Sequence, residues 1–161
     1  MAARRSFDVA AYVARSRGPC FVCRTIEGDP AYRHHLIFED DRAIAFLNRY
    51  PTLPGYVLVC PKAHRRDVTG DFSLDEYLAL QALVYRVGEA VRRAMAAERV
   101  YILSLGSHAA NDHVHWHVAP LPPGVTLEEQ QFAALDVRRG VLDLDEAAMA
   151  QMAQRIRAEL S

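Results

Sequence analysis

The apolar positions of this chain change period several times, and those changes divide it into elements. Leu36-Ile37-Phe38-Glu39 is a short apolar run, Asp40-Asp41 a turn, and Arg42 to Leu47 a second run, which together read as an antiparallel hairpin. Asn48 to Gly55 holds two prolines and a glycine and reads as a loop. Tyr56-Val57-Leu58-Val59-Cys60 is apolar throughout, as a central strand is, and Pro61 ends it. From Ser73 the spacing lengthens to that of a helix. Ser73-Leu74-Asp75-Glu76 is a capping box, and Leu74, Tyr77, Leu78, Val84, Gly88, Val91 and Met95 form an inward stripe that carries the helix to about Ala97. Arg99 to Leu105 returns to strand, Gly106 to Asp112 is a small-residue loop, and His113 to Pro120 alternates again. Upstream, residues 1–6 are polar and read as loose. Phe7, Ala10, Ala11, Val13 and Ala14 have helical spacing that stops at Gly18-Pro19. After Pro122-Pro123-Gly124, Leu127 to Leu135 reads as a short helix and Asp145 to Leu160 as a longer one. The sum is α+β: five mainly antiparallel strands, one long helix on the sheet and a C-terminal helix.

A chain of 161 residues is long enough to bury a substantial core and reads as one domain, 1–161. A net charge of −1 gives no reason to expect nucleic acid or a membrane surface as partner. No apolar run approaches the roughly 20 residues of a membrane span, and the N-terminus has no long apolar region of the signal-peptide kind. Three cysteines, an odd number, fit a reducing compartment, so a cytoplasmic location is expected.

The chemistry concentrates in His113-Val114-His115-Trp116-His117. On a strand these three histidines share one face, about 6.6 Å apart from one to the next, while Val114, Trp116 and Val118 face the core. Three imidazoles in a row make a poor core, because each carries two ring nitrogens that need partners. They could instead present ligands to a metal, as in a metal-dependent hydrolase, but the acid adjacent to the strand is Asp112 alone, and a catalytic metal calls for more carboxylate company. Covalent catalysis on phosphorus suits them better. A neutral imidazole is a competent nucleophile near pH 7 when its far nitrogen is held, and flanking imidazoles can bind phosphoryl oxygens. Of the three, His115 has a histidine on each side.

His-x-His-x-His followed by two apolar residues resembles the signature of the histidine triad (HIT) superfamily of nucleotide hydrolases and transferases. The stretches Ala45-Phe46-Leu47-Asn48-Arg49-Tyr50-Pro51 and Pro54-Gly55-Tyr56 through His64 are similar to that family's upstream half, and Cys20-Phe21-Val22-Cys23 and Glu39-Asp40-Asp41 match in order. The resemblance covers about residues 20–122 and leaves 123–161 as a C-terminal helical extension. It implies a homodimer whose sheets join, and a pocket for a purine nucleotide or dinucleotide. His115 resembles the nucleophile that attacks the α-phosphorus of a (di)nucleoside polyphosphate, phosphoramidate or related nucleotide and forms a nucleotidyl-histidine. His117 resembles the histidine that contacts phosphate, and His113 the one that orders the site. Asn48 lies where the family contacts the ribose hydroxyls, and Phe21, Val22 and Phe46 where it walls the base. Ser104 replaces the usual Asn or Gln, and the loop before the triad is about two residues shorter. Asn111 and Ser107 are the residues here able to take over that loop's phosphate contacts. A nucleotide-binding module with little turnover is the alternative this departure leaves open.

Cys20 and Cys23 make a single Cys-x2-Cys, which is half of a zinc site; a packed pair of reduced thiols is the other main reading, and a redox pair is disfavoured because no thioredoxin-like βαβ pattern follows. The resemblance implies a closed structural zinc site of Cys20, Cys23, His64 and His113, with no cofactor required for catalysis. Cys60 reads as core, and His34, His35 and His108 as solvent-facing or loop residues.

Overall fold

A computed structural model describes residues 3–160. A two-residue strand, β1 (Arg4–Arg5), leads into α1 (Val9–Ser16) and α2 (Phe21–Ile26). β2 (Leu36–Glu39), β3 (Ala43–Leu47) and β4 (Val57–Pro61) follow, then α3 (Leu74–Ala94), β5 (Arg99–Ser104) and β6 (Trp116–Leu121). The chain continues through α4 (Phe132–Leu135) and β7 (Val141–Leu142) to α5 (Glu146–Leu160). The main sheet has the order β2-β3-β4-β6-β5, antiparallel at every pairing. The expected α+β architecture, with five antiparallel strands, a long helix and a C-terminal helix, is the one observed. Among the described residues no helix is long and apolar enough to cross a membrane.

Alternation along the strands sorts side chains onto two faces. Ala43, Ala45, Leu47, Val57, Val59, Trp116 and Val118 meet Leu83, Val87, Val91 and Ile156 of α3 and α5 in one core. Ile44, Phe46, Leu58, Cys60, Ala119 and Leu121 face the other way and are covered by Val22, Leu53, Tyr56 and Ala134. His117 shares this second face, opposite Leu58 of β4 and Leu103 of β5. Gly55, at φ +77°, turns the preceding loop into β4, and an added Cβ there would lie 2.5 Å from Met95 Cγ.

Several boundaries and faces differ from the sequence reading. The loose N-terminus expected over residues 1–6 lies partly outside the described residues (1 and 2). Within them Arg4–Arg5 pairs with Val141–Leu142, and the Arg4 guanidinium donates to Gly140 O (2.7 Å) and Thr52 O (2.9 Å). Two polar residues form a strand here because a distant strand supplies the hydrogen bonds. The capping box at Ser73 is present, with both reciprocal bonds, but α3 ends at Ala94, and Leu74 (71% exposed) and Leu78 (54% exposed) point to solvent. Leu80, Leu83, Val87, Ala90 and Ala94 fill the buried stripe with Val84, Gly88 and Val91. The helix expected over Leu127–Leu135 divides into a 3-10 turn, Leu127–Glu129, and α4. The histidine-bearing strand, β6, begins at Trp116, not His113. His113 sits at a bend, and Val114 N donates to Arg65 O (2.7 Å), a bond to the loop after β4 that takes the chain out of the ladder.

Candidate active site

The three histidines therefore divide into a pair and an outlier. His115 and His117 lie with ring centroids 4.8 Å apart. The His115 side chain is nearly enclosed, and its Nδ1–H donates to the backbone carbonyl of His113 at 2.7 Å. A carbonyl only accepts, so the proton belongs to Nδ1 and Nε2 keeps its lone pair. Ser104 O–H donates to His115 O (2.8 Å), so the residue standing in place of the usual amide secures the backbone of the central histidine. Burial, offset in part by the bond to His113, holds the His115 imidazolium below its ordinary value. His117 Nδ1 lies 2.9 Å from the Tyr56 hydroxyl, while its Nε2 is buried with no hydrogen-bond partner. Burial, and then the nearness of His115, push His117 down to about 3, so the ring is neutral near pH 7. Tyr56 was read only as strand; its place beside His117 follows from the β4–β6 register and has no signal in the sequence taken alone.

His113 turns the other way. Its Nε2–H donates to Pro61 O (2.8 Å), leaving Nδ1 directed at Cys20 Sγ (3.4 Å) and Cys23 Sγ (3.6 Å). His64 Nδ1 lies 3.3 Å from Cys23 Sγ, and its Nε2 is 3.5 Å from Asp112 Oδ1. One ligand atom from each of Cys20, Cys23, His64 and His113 falls within 4.8 Å of the others. Tetrahedral zinc with Zn–S of about 2.3 Å and Zn–N of about 2.0–2.1 Å sets ligand atoms about 3.3–3.8 Å apart; the Cys–His separations of 3.3, 3.4 and 3.6 Å lie in that range, and two thiols with two imidazoles are the donors of a closed zinc site. Each imidazole also has a carbonyl or carboxylate behind its far nitrogen, as metal-bound histidines do. Burial, and then Cys20 beside it, push the Cys23 thiol up to about 11, a value that an adjacent cation would reverse. Of the three triad histidines only His113 belongs to this cluster; His115 and His117 lie outside it.

The residues expected around a nucleotide are placed unevenly. Phe21 packs edge-on against His115 (centroids 5.6 Å) and against Phe46 (6.3 Å), joining the expected base wall to the central histidine. Val22 and Phe46 are wholly buried and form the floor behind Phe21. Asn48 closes β3, with its Oδ1 accepting from Tyr50 N (2.9 Å), which leaves one oxygen lone pair and the amide N–H2 for a ribose. Ser107 stays in an exposed loop, where its hydroxyl accepts from Ala109 N (3.1 Å). Asn111, at φ 53°, donates to the Tyr12 hydroxyl (2.9 Å) and is thereby tied to α1. Asn111 lines one cleft with Phe21 and His113, whereas Ser107 does not line that cleft. His34 lies in the loop before β2, one of the two placements expected for it, and is partly covered. It packs on Phe46 (4.5 Å) and Phe21 (6.4 Å), with Nδ1–H donating to Tyr32 O (2.6 Å), because the turn before β2 folds back over the second sheet face. His35 is partly covered and lies 3.2 Å from Glu146, whereas His108 is exposed and Cys60 is in the core, both as expected.

The chain is similar to known proteins in sequence and in fold. A HIT domain is matched over residues 30–123. An uncharacterised HIT-like protein of Saccharolobus solfataricus is 32% identical over 105 residues, 63% of this chain and 73% of that protein. An adenosine 5′-monophosphoramidase of Schizosaccharomyces pombe is 30% identical over 107 residues, 64% of this chain and 74% of that one. A zinc-bound histidine triad family protein of Mycobacterium smegmatis superposes with a TM-score of 0.68 at 26% identity, covering 88% of this chain and 92% of the other.

Proposed function

Since the chain belongs to the HIT domain family, we propose that it is a nucleotide-binding hydrolase or nucleotidyl transferase that works through His115. The observation that carries this reading is the 2.7 Å bond from His115 Nδ1 to the His113 carbonyl, which leaves Nε2 as a lone pair on the enclosed, central imidazole. Nε2 attacks the α-phosphorus of a nucleoside polyphosphate, dinucleotide or phosphoramidate. A nitrogen–phosphorus bond forms, and the bond to the leaving group breaks with its electron pair, the leaving group taking a proton from water. Water or another acceptor then displaces the imidazole and releases the nucleotide. Phe21, Val22 and Phe46 wall the base, Asn48 meets the ribose, and Asn111 and Ser107 serve phosphate if the loop closes on ligand.

Cys20, Cys23, His64 and His113 would hold a structural Zn²⁺, which ties the N-terminal segment to the active loop and takes no part in the chemistry. The whole chain acts as one domain, with 123–161 as its extension, and as a homodimer. β5 is an edge strand of the main sheet and carries exposed Ile102, with exposed Leu105 just beyond it; a second copy pairing there would cover them. The test is His115→Ala. Turnover of adenosine phosphoramidate or diadenosine triphosphate should fall by several orders of magnitude, AMP binding should persist, and intact protein mixed with substrate should gain a nucleotidyl mass that the variant lacks. Unchanged turnover in the variant would overturn the reading.

A further inference from the structure

Tyr56 stands beside the triad in a position the proposed chemistry has not yet used. It is nearly enclosed (6% exposed), and among the described residues its hydroxyl has a single partner, His117 Nδ1 at 2.9 Å. Two arrangements of that bond are open. In one, His117 Nδ1–H donates to the phenol oxygen. The phenol hydrogen is then left without an acceptor in a buried setting, and His117 Nε2 becomes a bare lone pair. In the other, the phenol O–H donates to Nδ1, and the ring proton belongs to Nε2. The second arrangement satisfies both partners, and the first satisfies only one.

The far side of the ring favours the same choice. His117 Nε2 is buried and has no hydrogen-bond partner among the described residues. Buried polar atoms are rarely left so unless a ligand completes them. It lies on the neighbour of the proposed nucleophile, with ring centroids 4.8 Å apart, so the ligand atoms that reach it are phosphoryl oxygens. An N–H attracts such an oxygen, whereas a lone pair repels it.

We propose that Tyr56 is a positioning residue that fixes His117 in the Nε2–H tautomer, so that His117 donates a hydrogen bond to a phosphoryl oxygen as charge builds there. The proposal rests on the nucleotidyl-transfer reading above and deepens it. His115 and His117, two residues apart, are then held in opposite tautomers: the His113 carbonyl leaves Nε2 of one a bare lone pair, and the hydrogen bond from the Tyr56 phenol to Nδ1 keeps the ring proton of the other on Nε2. No proton is transferred from His117, which is neutral throughout; its contribution is electrostatic, as in an oxyanion hole. Burial also keeps the phenol protonated, its ionisation pushed well above the ordinary tyrosine range.

The direct test is the long-range ¹H–¹⁵N spectrum of histidine-labelled wild-type protein, free and with AMP. His117 should show a protonated Nε2 and a bare Nδ1 in both; a protonated Nδ1 would overturn the proposal whatever the enzyme's activity. The kinetic test uses adenosine phosphoramidate and diadenosine triphosphate. Tyr56→Phe should lower kcat roughly 10- to 100-fold with KM within about threefold, and its spectrum should show His117 in mixed tautomers. In a His117→Gln background, where a carboxamide N–H needs no tautomer control, Tyr56→Phe should cost little more. Equal losses in both backgrounds would mean that Tyr56 serves only packing and would also overturn it. Failure of the nucleotidyl-transfer reading is seen separately, as unimpaired turnover by His115→Ala.

Discussion

Acid should destabilise this protein through His117, and the size of the effect can be worked out. Burial first, and His115 second, lower its native value to about 3 from an ordinary 6.5. The native ring is therefore neutral where the unfolded ring begins to bind a proton. For a group whose folded value is depressed in this way, the stability contribution is intact above the unfolded value and is lost as pH falls below it. The loss continues until the folded value is reached. Integrating the proton linkage from pH 7 to pH 5 gives about 2 kcal/mol from this one side chain. Urea unfolding of the wild type and of His117→Asn at the two pH values isolates it. His113, lowered to about 4 chiefly by burial, and His115 are present in both proteins and drop out of the difference. The variant should lose about 2 kcal/mol less than the wild type on acidification, roughly a 1 M difference in midpoint shift at ordinary urea slopes. Equal losses would show that the native ring takes up its proton at little cost, and the enclosure described for His117 would be wrong.

Two further outcomes follow from named contacts. Chelation should lower the melting temperature by several degrees and added zinc should restore it, with Cys20→Ser insensitive to both; melting curves indifferent to chelator and metal would remove zinc from the Cys20–Cys23–His64–His113 cluster. Ser73→Ala deletes the acceptor of the Glu76 N–H and keeps the backbone N–H from which the Glu76 carboxylate accepts. Its cost should be about 1 kcal/mol in chemical denaturation, with turnover unchanged.

The elements that could be read directly are those whose pattern is local. β2 was expected at its observed bounds, and β3 and β4 within one residue, because apolar runs between turn residues admit few other folds. The start of α3 was legible because a capping box is a four-residue code. Its inward face was misread at Leu74 and Leu78, since a leucine-rich first turn looks alike whether it meets a sheet or solvent. β1 and β7 lie 136 residues apart (141 − 5) and pair only in three dimensions. Neither has a pattern that announces a strand.

For the site, residue types and their two-residue spacing were enough to single out His113, His115 and His117 as the candidates, because three adjacent imidazoles make a poor core. Which nitrogen of each ring is free was not legible. That depends on the His113 carbonyl, the Pro61 carbonyl and the Tyr56 phenol, and each reaches its imidazole through folding that takes His113 off the sheet and sets Tyr56 across from His117. Side-chain chemistry and periodicity travel with the chain, and so can be read along it. Hydrogen-bond partners set by the fold do not: the Pro61 carbonyl and the Tyr56 phenol come from tens of residues away, the His113 carbonyl meets His115 where the chain has left the sheet, and these partners make the three histidines inequivalent.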